Sequence, residues 1–138
     1  MLFRSWTCSQ SGPVDDIHFW GSWKDDLIGE ITNIHLSIHD NVPVGANDNP
    51  DFSHPGEQLW SMDLTDPTSY TVRAFTSPGQ GWYDPNDGSY NHPDHYTYYQ
   101  YNIEDIEAPH LQIEGETCWL YITVTVAQVA GAIQPEWG

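Results

Sequence analysis

The segment Asp84-Pro85-Asn86-Asp87-Gly88 concentrates oxygen-bearing side chains in a short turn. Calcium takes about six to eight oxygen ligands, so Asp84, Asn86 and Asp87 are candidate ligands for that ion. The spacing departs from an EF-hand loop because no Glu follows at its end. A hairpin turn whose Asp and Asn side chains bond their own backbone explains the same residues. Calcium as a stabilising cofactor is therefore a hypothesis, and the hairpin turn is its alternative.

Other polar clusters give weaker signals. Residues 47–51 (NDNPD) have the same ambiguity, and the acidic pairs at 15–16 and 25–26 either share a cation or stay solvated. His35 and His39 lie on one face of a predicted strand but about 13 Å apart, too far to share one ion. His92 and His95 flank Pro93-Asp94, where they could chelate an ion from a loop. Solvated or hydrogen-bonded histidines are the favoured interpretation for all four.

Cys8 and Cys118 are the two cysteines, and they lie near opposite ends of the chain. No CxxC pair indicates zinc or thioredoxin-like chemistry. If the first and last strands are neighbours, the two residues can form a disulfide that contributes about 4 to 5 kcal/mol in the chain-entropy model. Such a bond requires an oxidising compartment. Two buried free thiols are the alternative.

Aromatic residues are abundant, with seven Trp, eight Tyr and four Phe. Rings of this kind anchor protein interfaces and also stack on sugars. The candidates for ligand or interface contacts are Trp60, Trp82, Tyr83, Tyr90 and Trp137. For any single ring, packing in the core is the alternative.

Signatures of catalysis are missing from the sequence. It has no G-x-S-x-G elbow, no P-loop and no G-x-G-x-x-G fingerprint. Neither cysteine has a neighbouring base that would mark it as a nucleophile. We therefore expect no enzymatic activity.

Charge narrows the range of partners. Twenty acidic side chains face three basic ones, which gives a formal net charge of −17 at pH 7. Nucleic acid is excluded because a phosphate backbone is bound mainly through Lys and Arg. No apolar stretch is long enough to insert into a membrane. The 138 residues fit one domain, 1–138, which we expect to be a piece of a longer secreted protein rather than a cytoplasmic chain.

Short strands separated by turn residues dominate the pattern, and the predicted turns are 40–43, 45–50, 54–56, 77–79, 84–88 and 92–94. Ile34, Leu36 and Ile38 alternate with polar residues, which indicates a half-buried strand. The segment from Cys118 to Val126 alternates so that both faces can be covered, which predicts a strand in the centre of a sheet. These features predict an all-β, jelly-roll-like antiparallel β-sandwich of seven or eight strands with long turn-rich loops. A weak helix is predicted at 103–108. The other predicted strands are 14–20, 59–64, 70–75, 96–103 and 111–113.

An ordered series of motifs resembles a family of uncharacterised extracellular bacterial domains. They are residues 13–23 (PVDDIHFWGSW), 54–60 (HPGEQLW), 80–85 (QGWYDP), 100–103 (QYNI) and 118–120 (CWL). The family is met in secreted proteins, often ones with a C-terminal sorting signal. The resemblance implies a secreted β-sandwich and assigns no catalytic residue.

Two non-enzymatic functions follow as expectations. The first is an extracellular or cell-surface structural and adhesive subunit that assembles with copies of itself or sister domains into a layer or filament, through sheet edges and aromatic contacts. The second is a carbohydrate-binding module in which the rings of Trp82, Tyr83, Tyr90 and the run 96–101 stack on a polysaccharide. The size of the purified particle and its retention on a polysaccharide gel separate the two.

Overall fold

The computed structural model describes residues 1–46 and 51–138, so most of the candidate segment 47–51 lies outside the described residues. Those residues contain nine strands, one 3-10 turn and no α-helix. The 3-10 turn is Lys24–Asp26. The strands are β1 Leu2–Thr7, β2 Gly12–Val14, β3 Ile17–Ser22, β4 Ile31–Val42, β5 His54–Leu64, β6 Thr71–Asp84, β7 Ser89–Ile103, β8 His110–Gln112 and β9 Thr117–Val126.

Three antiparallel sheets contain these strands, with orders β1-β9-β4-β5, β2-β8 and β3-β7-β6. The all-β, antiparallel fold class is confirmed, and it is consistent with a β-sandwich. The strand count is nine rather than seven or eight, because 14–20 is divided between β2 and β3 and because β1 was not predicted. β9 lies between β1 and β4, which confirms its predicted central position.

The chain forms two compact units, each assembled from three separate stretches. Unit 1 comprises Met1–Asp16, Ile34–Thr65 and Asp105–Thr123. Unit 2 comprises Ile17–Asn33, Asp66–Glu104 and Val124–Gly138. The prediction of a single domain over 1–138 stays a prediction.

In unit 1 the core follows the predicted alternation. Ile34, Leu36 and Ile38 are each 0 % exposed, and Ile122 of β9 is also buried. Burying each such side chain stabilises the fold by about 1.5 to 3 kcal/mol. β-branched residues suit these strands because their stiff side chains pack well on a pleated surface.

In unit 2 the core is built on aromatic rings. Phe19 of β3 lies opposite Tyr101 of β7 in the register, and the two rings stack with centroids 5.1 Å apart. Along β3, Ile17 and Phe19 are buried while His18 and Trp20 are exposed. This period-2 alternation turns Trp20 to the opposite face from the core rings.

Several predicted turns lie inside strands instead. The Pro-containing segments 54–56, 77–79 and 92–94 are parts of β5, β6 and β7, and β4 extends through Val42. The register of β6 with β7 shifts between Thr76 and Trp82, and these shifts accommodate the irregular residues around Pro78. A proline is tolerated there because β6 is an edge strand, where a missing N–H leaves no neighbouring strand unpaired.

The predicted helix at 103–108 is wrong. Ile103 ends β7, and Asp105 adopts a left-handed conformation with φ 54°. The amide of Asp105 donates to Asp16 Oδ1 at 3.1 Å, and the amide of Ile106 donates to the Asp15 carbonyl at 3.0 Å. These long-range bonds satisfy the backbone groups that a helix would pair locally.

Candidate functional site: an aromatic groove on the β3-β7-β6 sheet

A cluster of three rings covers one face of the β3-β7-β6 sheet. Trp20, Phe75 and Tyr98 come from β3, β6 and β7, and we call them the aromatic cluster. Phe75 and Tyr98 are a cross-strand pair that stacks at 5.5 Å, and the Trp20 ring lies 5.3 Å from Phe75 and 5.6 Å from Tyr98. Because Trp20 stays 48 % exposed, the cluster presents aromatic surface to solvent.

The only described guanidinium in unit 2 extends this cluster. The Cζ atom of Arg73 lies 5.1 Å from the centroid of the Phe75 ring. A cation over an aromatic face is attracted by about 0.5 to 1 kcal/mol at an exposed site. The contact places a positive charge next to the Phe75 ring.

A groove of two adjoining hollows lies beside the aromatic cluster, and we call it the aromatic groove. The two hollows share Ser22, Gln80 and Gly138. The first has a volume of about 480 Å³ and is also lined by Trp20, Gly21 and Tyr98. The second, of about 300 Å³, is also lined by Gly81, Trp82, Tyr83 and His95. Aromatic rings and hydrogen-bonding side chains thus line one open depression.

The floor of the second hollow contains a buried polar network. His95 is 2 % exposed, its Nδ1 lies 3.0 Å from Asp94 Oδ1, and its Nε2 lies 3.1 Å from Gln80 Oε1. Asp94 Oδ1 also accepts a bond from the Asp25 amide at 3.0 Å. The Trp82 and His95 rings form a T-shaped pair with their centroids 6.1 Å apart. The network holds Gln80 at the groove surface.

Trp137 is internal to unit 2 and is not among the residues that line the groove. Its Nε1 donates to the Tyr101 hydroxyl at 2.9 Å, and its ring packs edge-on against Phe19 and Tyr101. Backbone bonds in both directions between Ser22 and Gly138 attach the C-terminal segment to the end of β3. The geometry gives Trp137 a packing role and places Gly138 at the groove.

Trp60 also packs inside its own unit. It contacts the buried cluster of Cys8, Ile38 and Cys118, and its Nε1 donates to the Ala108 carbonyl at 2.7 Å. The remaining candidates lie near the end of the β6–β7 hairpin. Tyr83 and Tyr90 are cross-strand partners that are 62 % and 64 % exposed, and Trp82 is half-buried in the groove.

The candidate calcium ligands form the turn between β6 and β7. Asp84 Oδ1 accepts bonds from the amide nitrogen of Asn86 at 2.9 Å and from its side chain at 3.0 Å. Asp87 Oδ1 accepts from the Ser89 amide at 2.8 Å, and bonds to Ser89 lower the pKa of Asp87. Gly88 closes the turn at φ 73°. These bonds match the hairpin-turn alternative, in which the Asp side chains bond groups of their own turn.

Acidic residues elsewhere bind backbone amides. Asp26 accepts bonds from the amides of Tyr96 and Thr97 at 2.8 and 3.0 Å, and Asp16 accepts the bond from Asp105 described above. Within residues 1–46 and 51–138, no group of three or more His, Cys, Asp or Glu side chains is placed to hold a metal ion. The same residues include no helix long and apolar enough to cross a membrane.

The two cysteines are neighbours, as the strand order requires. β1 pairs with β9, the Cys8 amide donates to the Glu116 carbonyl at 2.9 Å, and both cysteines are 2 % exposed. They are free thiols in this structure. Burial, with the adjoining Cys8 thiol, raises the pKa of Cys118 to about 11. The predicted proximity is present, and the disulfide itself stays a prediction.

Sequence reasoning missed several residues of the groove. Trp20, Phe75 and Gln80 were not named as site residues, and His95 was considered only as a loop chelator with His92, whereas Tyr98 belongs to the run 96–101 predicted to stack on sugars. The sequence signal that could have identified Trp20 is the alternation His18-Phe19-Trp20. If Phe19 points into the core, its neighbour Trp20 points to the other face of the strand. Trp20 and Phe75 come together because β3 and β6 both pair with β7. This long-range pairing produces no pattern in the local sequence.

The fold and the groove define an all-β protein with a solvent-facing aromatic depression. The chain belongs to a family described as a domain of unknown function, DUF7901, which matches residues 1–138. Comparison with curated proteins gives no match, and comparison with solved structures gives none either.

Proposed function

We propose that this protein binds a neutral polysaccharide in the aromatic groove. The observation that carries the proposal is the exposed aromatic cluster of Trp20, Phe75 and Tyr98 beside polar side chains that reach the same depression. Sugar rings offer apolar C–H faces to aromatic rings and hydroxyls to amides and hydroxyl groups. The two hollows, at about 480 and 300 Å³, fall near or within the size range of small-ligand sites.

Charge supports a neutral rather than an acidic glycan. The net charge of −17 opposes approach of a polyanion. Of the two basic residues in unit 2, Lys24 is paired with Glu136 at 3.0 Å and Arg73 lies against Phe75. Neither residue lines the two hollows. An extracellular location is part of the proposal, because polysaccharides of this kind are met outside the cell.

The test is affinity electrophoresis in native gels that contain one polysaccharide each. Hydroxyethyl cellulose, xylan, galactomannan and soluble starch are the neutral probes, and alginate is the anionic one. We expect at least one neutral gel to retard the protein and Trp20→Ala with Tyr98→Ala to abolish the retardation. Phe3→Ala is the matched control, because Phe3 is a 64 % exposed ring in unit 1. Equal mobility in all gels would contradict the proposal.

Assembly into a surface layer or filament is the second candidate, and one observation favours it. Tyr83 and Tyr90 form an exposed aromatic pair near the end of the long β6–β7 hairpin. The edges of the β3-β7-β6 sheet support assembly less well, because the C-terminal segment bonds to the end of β3 and the β6 edge is irregular around Pro78. Size-exclusion chromatography with Tyr83→Ser/Tyr90→Ser as the variant tests it. A monomer at every salt concentration would contradict it.

A further inference from the structure

The rings of the aromatic cluster do not form a flat surface. Phe75 and Tyr98 stack with their planes 15° apart and their centroids 5.5 Å apart, so these two rings share one orientation. The Trp20 plane is tilted by 56° from Phe75 and by 47° from Tyr98. A ligand with a flat face can therefore lie parallel to Trp20 or to the other two rings, but not to all three.

Strand pairing explains this arrangement. Phe75 and Tyr98 are directly opposite in the β6–β7 register, where the Cβ atoms of paired residues lie about 4.5 to 5.5 Å apart. Trp20 pairs with Gln100 instead, so it lies diagonal to Tyr98. Adjacent strands are also rotated by about 20 to 25° through the twist of a sheet. Trp20 therefore does not continue the stack of the other two rings.

The aromatic cluster borders a recess instead of standing above the protein surface. Trp20 and Tyr98 line the first hollow, of about 480 Å³, and the second hollow, of about 300 Å³, extends to Tyr83. The lining of the second hollow includes His95, which is only 2 % exposed and so lies below the surface. A ligand must enter the depression to contact both hollows, and a wide, rigid surface cannot do so.

We infer that the aromatic groove binds a single, separate polysaccharide chain and not the flat face of a crystalline polysaccharide. This inference rests on the proposed function and names the class of its ligand. Consecutive sugar units of a free chain rotate about their glycosidic bonds, so one unit can stack on Trp20 while a neighbouring unit meets a ring of another orientation. In a crystal the lattice fixes that rotation.

The polar lining of the groove suits the same ligand class. Gln80 is an exposed residue that lines both hollows, and its amide can donate and accept hydrogen bonds. A free chain presents hydroxyls on its edges while its apolar faces meet the rings. The hydroxyls of a packed chain are instead bonded to neighbouring chains. A single chain that crosses both hollows therefore gains contacts in each of them.

Depletion by insoluble powders tests the excluded class of ligand. Crystalline cellulose, xylan, mannan and amylose contain the same backbones as the four neutral polysaccharides of the gels. The measured quantity is the fraction of protein left in the supernatant, compared between the parent protein and Trp20→Ala/Tyr98→Ala. We expect the two fractions to be equal with every powder. A parent protein that is depleted more strongly than the double variant would overturn the inference.

Isothermal titration calorimetry tests whether one chain crosses both hollows. The probes are the disaccharide and the hexasaccharide of the backbone that retards the protein in a gel. We expect the hexasaccharide to bind about tenfold or more tightly than the disaccharide. Tyr83→Ser alters a residue of the second hollow alone and should weaken hexasaccharide binding by about two- to tenfold, the equivalent of one aromatic contact. Phe3→Ala is again the control and should bind like the parent protein.

The outcomes separate this inference from the proposed function. Retardation in a gel together with stronger depletion of the parent protein by a crystalline powder would refute the single-chain inference alone. Equal affinities for the two oligosaccharides, or a Tyr83→Ser variant that binds the hexasaccharide like the parent protein, would also refute it alone. A protein that is neither retarded by any neutral gel nor depleted by any powder would refute both.

Discussion

The C-terminal segment offers a direct test of how unit 2 is held together. Trp137 packs against Phe19 and Tyr101, and a Cβ atom added at Gly21 would overlap the Trp137 indole. The ring can occupy this slot only because position 21 has no side chain. Two substitutions, Trp137→Ala and Gly21→Ala, therefore perturb the same contact from opposite sides.

The expected magnitude follows from burial. Truncating a fully buried Trp costs about 3 to 5 kcal/mol, so the half-buried Trp137 should lose about 2 kcal/mol in packing. Loss of its bond to the Tyr101 hydroxyl adds about 1 kcal/mol. We expect Trp137→Ala to lower the free energy of unfolding by about 3 kcal/mol, and Gly21→Ala by about 1 to 3 kcal/mol through overpacking.

Urea denaturation followed by circular dichroism measures both effects without relying on the fluorescence of the mutated indole. In the double variant the losses should fall short of the sum by at least about 1 kcal/mol, because the overlap at position 21 disappears with the ring. Ile133→Ala is the control, since Ile133 is 75 % exposed and should change stability by less than about 0.5 kcal/mol. Additive losses, or a Trp137→Ala variant as stable as the parent protein, would contradict the claim that the Trp137 ring stabilises unit 2 by packing over Gly21.

Three further predictions concern pH, redox state and calcium. Burial raises the pKa of Tyr101 to about 12, above its ordinary value near 10, so the folded state holds this proton more tightly than the unfolded chain. Stability should be full below about pH 10 and fall as the pH rises towards about 12; Tyr101→Phe should flatten part of that fall, and an unchanged slope would contradict the assignment. For Cys8 and Cys118 we expect a disulfide in oxidising conditions, so that alkylation in denaturant without reductant leaves the mass unmodified, whereas two alkylated thiols would rule it out. Calcium should raise the melting midpoint over EDTA if it binds the β6–β7 turn, and Asp84→Asn with Asp87→Asn should remove the difference; equal midpoints in the parent protein would argue against a bound ion.

Local sequence patterns predicted the strands whose buried face can be recognised from the alternation of their own residues. The alternation of Ile34, Leu36 and Ile38 identified β4, and the two covered faces of β9 identified a central strand. β1 escaped notice because its partner, β9, lies at the other end of the chain. The β6–β7 hairpin was divided too early because Pro78 and Pro93 read as turns, whereas pairing along the rest of the hairpin carries the strands past them.

The candidate site was predictable only in part, for the same reason. The aromatic excess indicated stacking surfaces, and Trp82, Tyr83 and Tyr98 do lie at the groove. Trp60 and Trp137 instead pack within their own units, since a ring's residue type does not tell which face of a strand it occupies. The convergence of Trp20 and Phe75 depends on the register of both strands with β7.

The most direct test of the central claim is the mobility of the protein in neutral polysaccharide gels. The account predicts retardation in at least one of them, its loss in the Trp20→Ala/Tyr98→Ala variant, and its retention in Phe3→Ala. Parent and double-variant proteins that migrate alike in every neutral gel would contradict glycan binding by the aromatic groove.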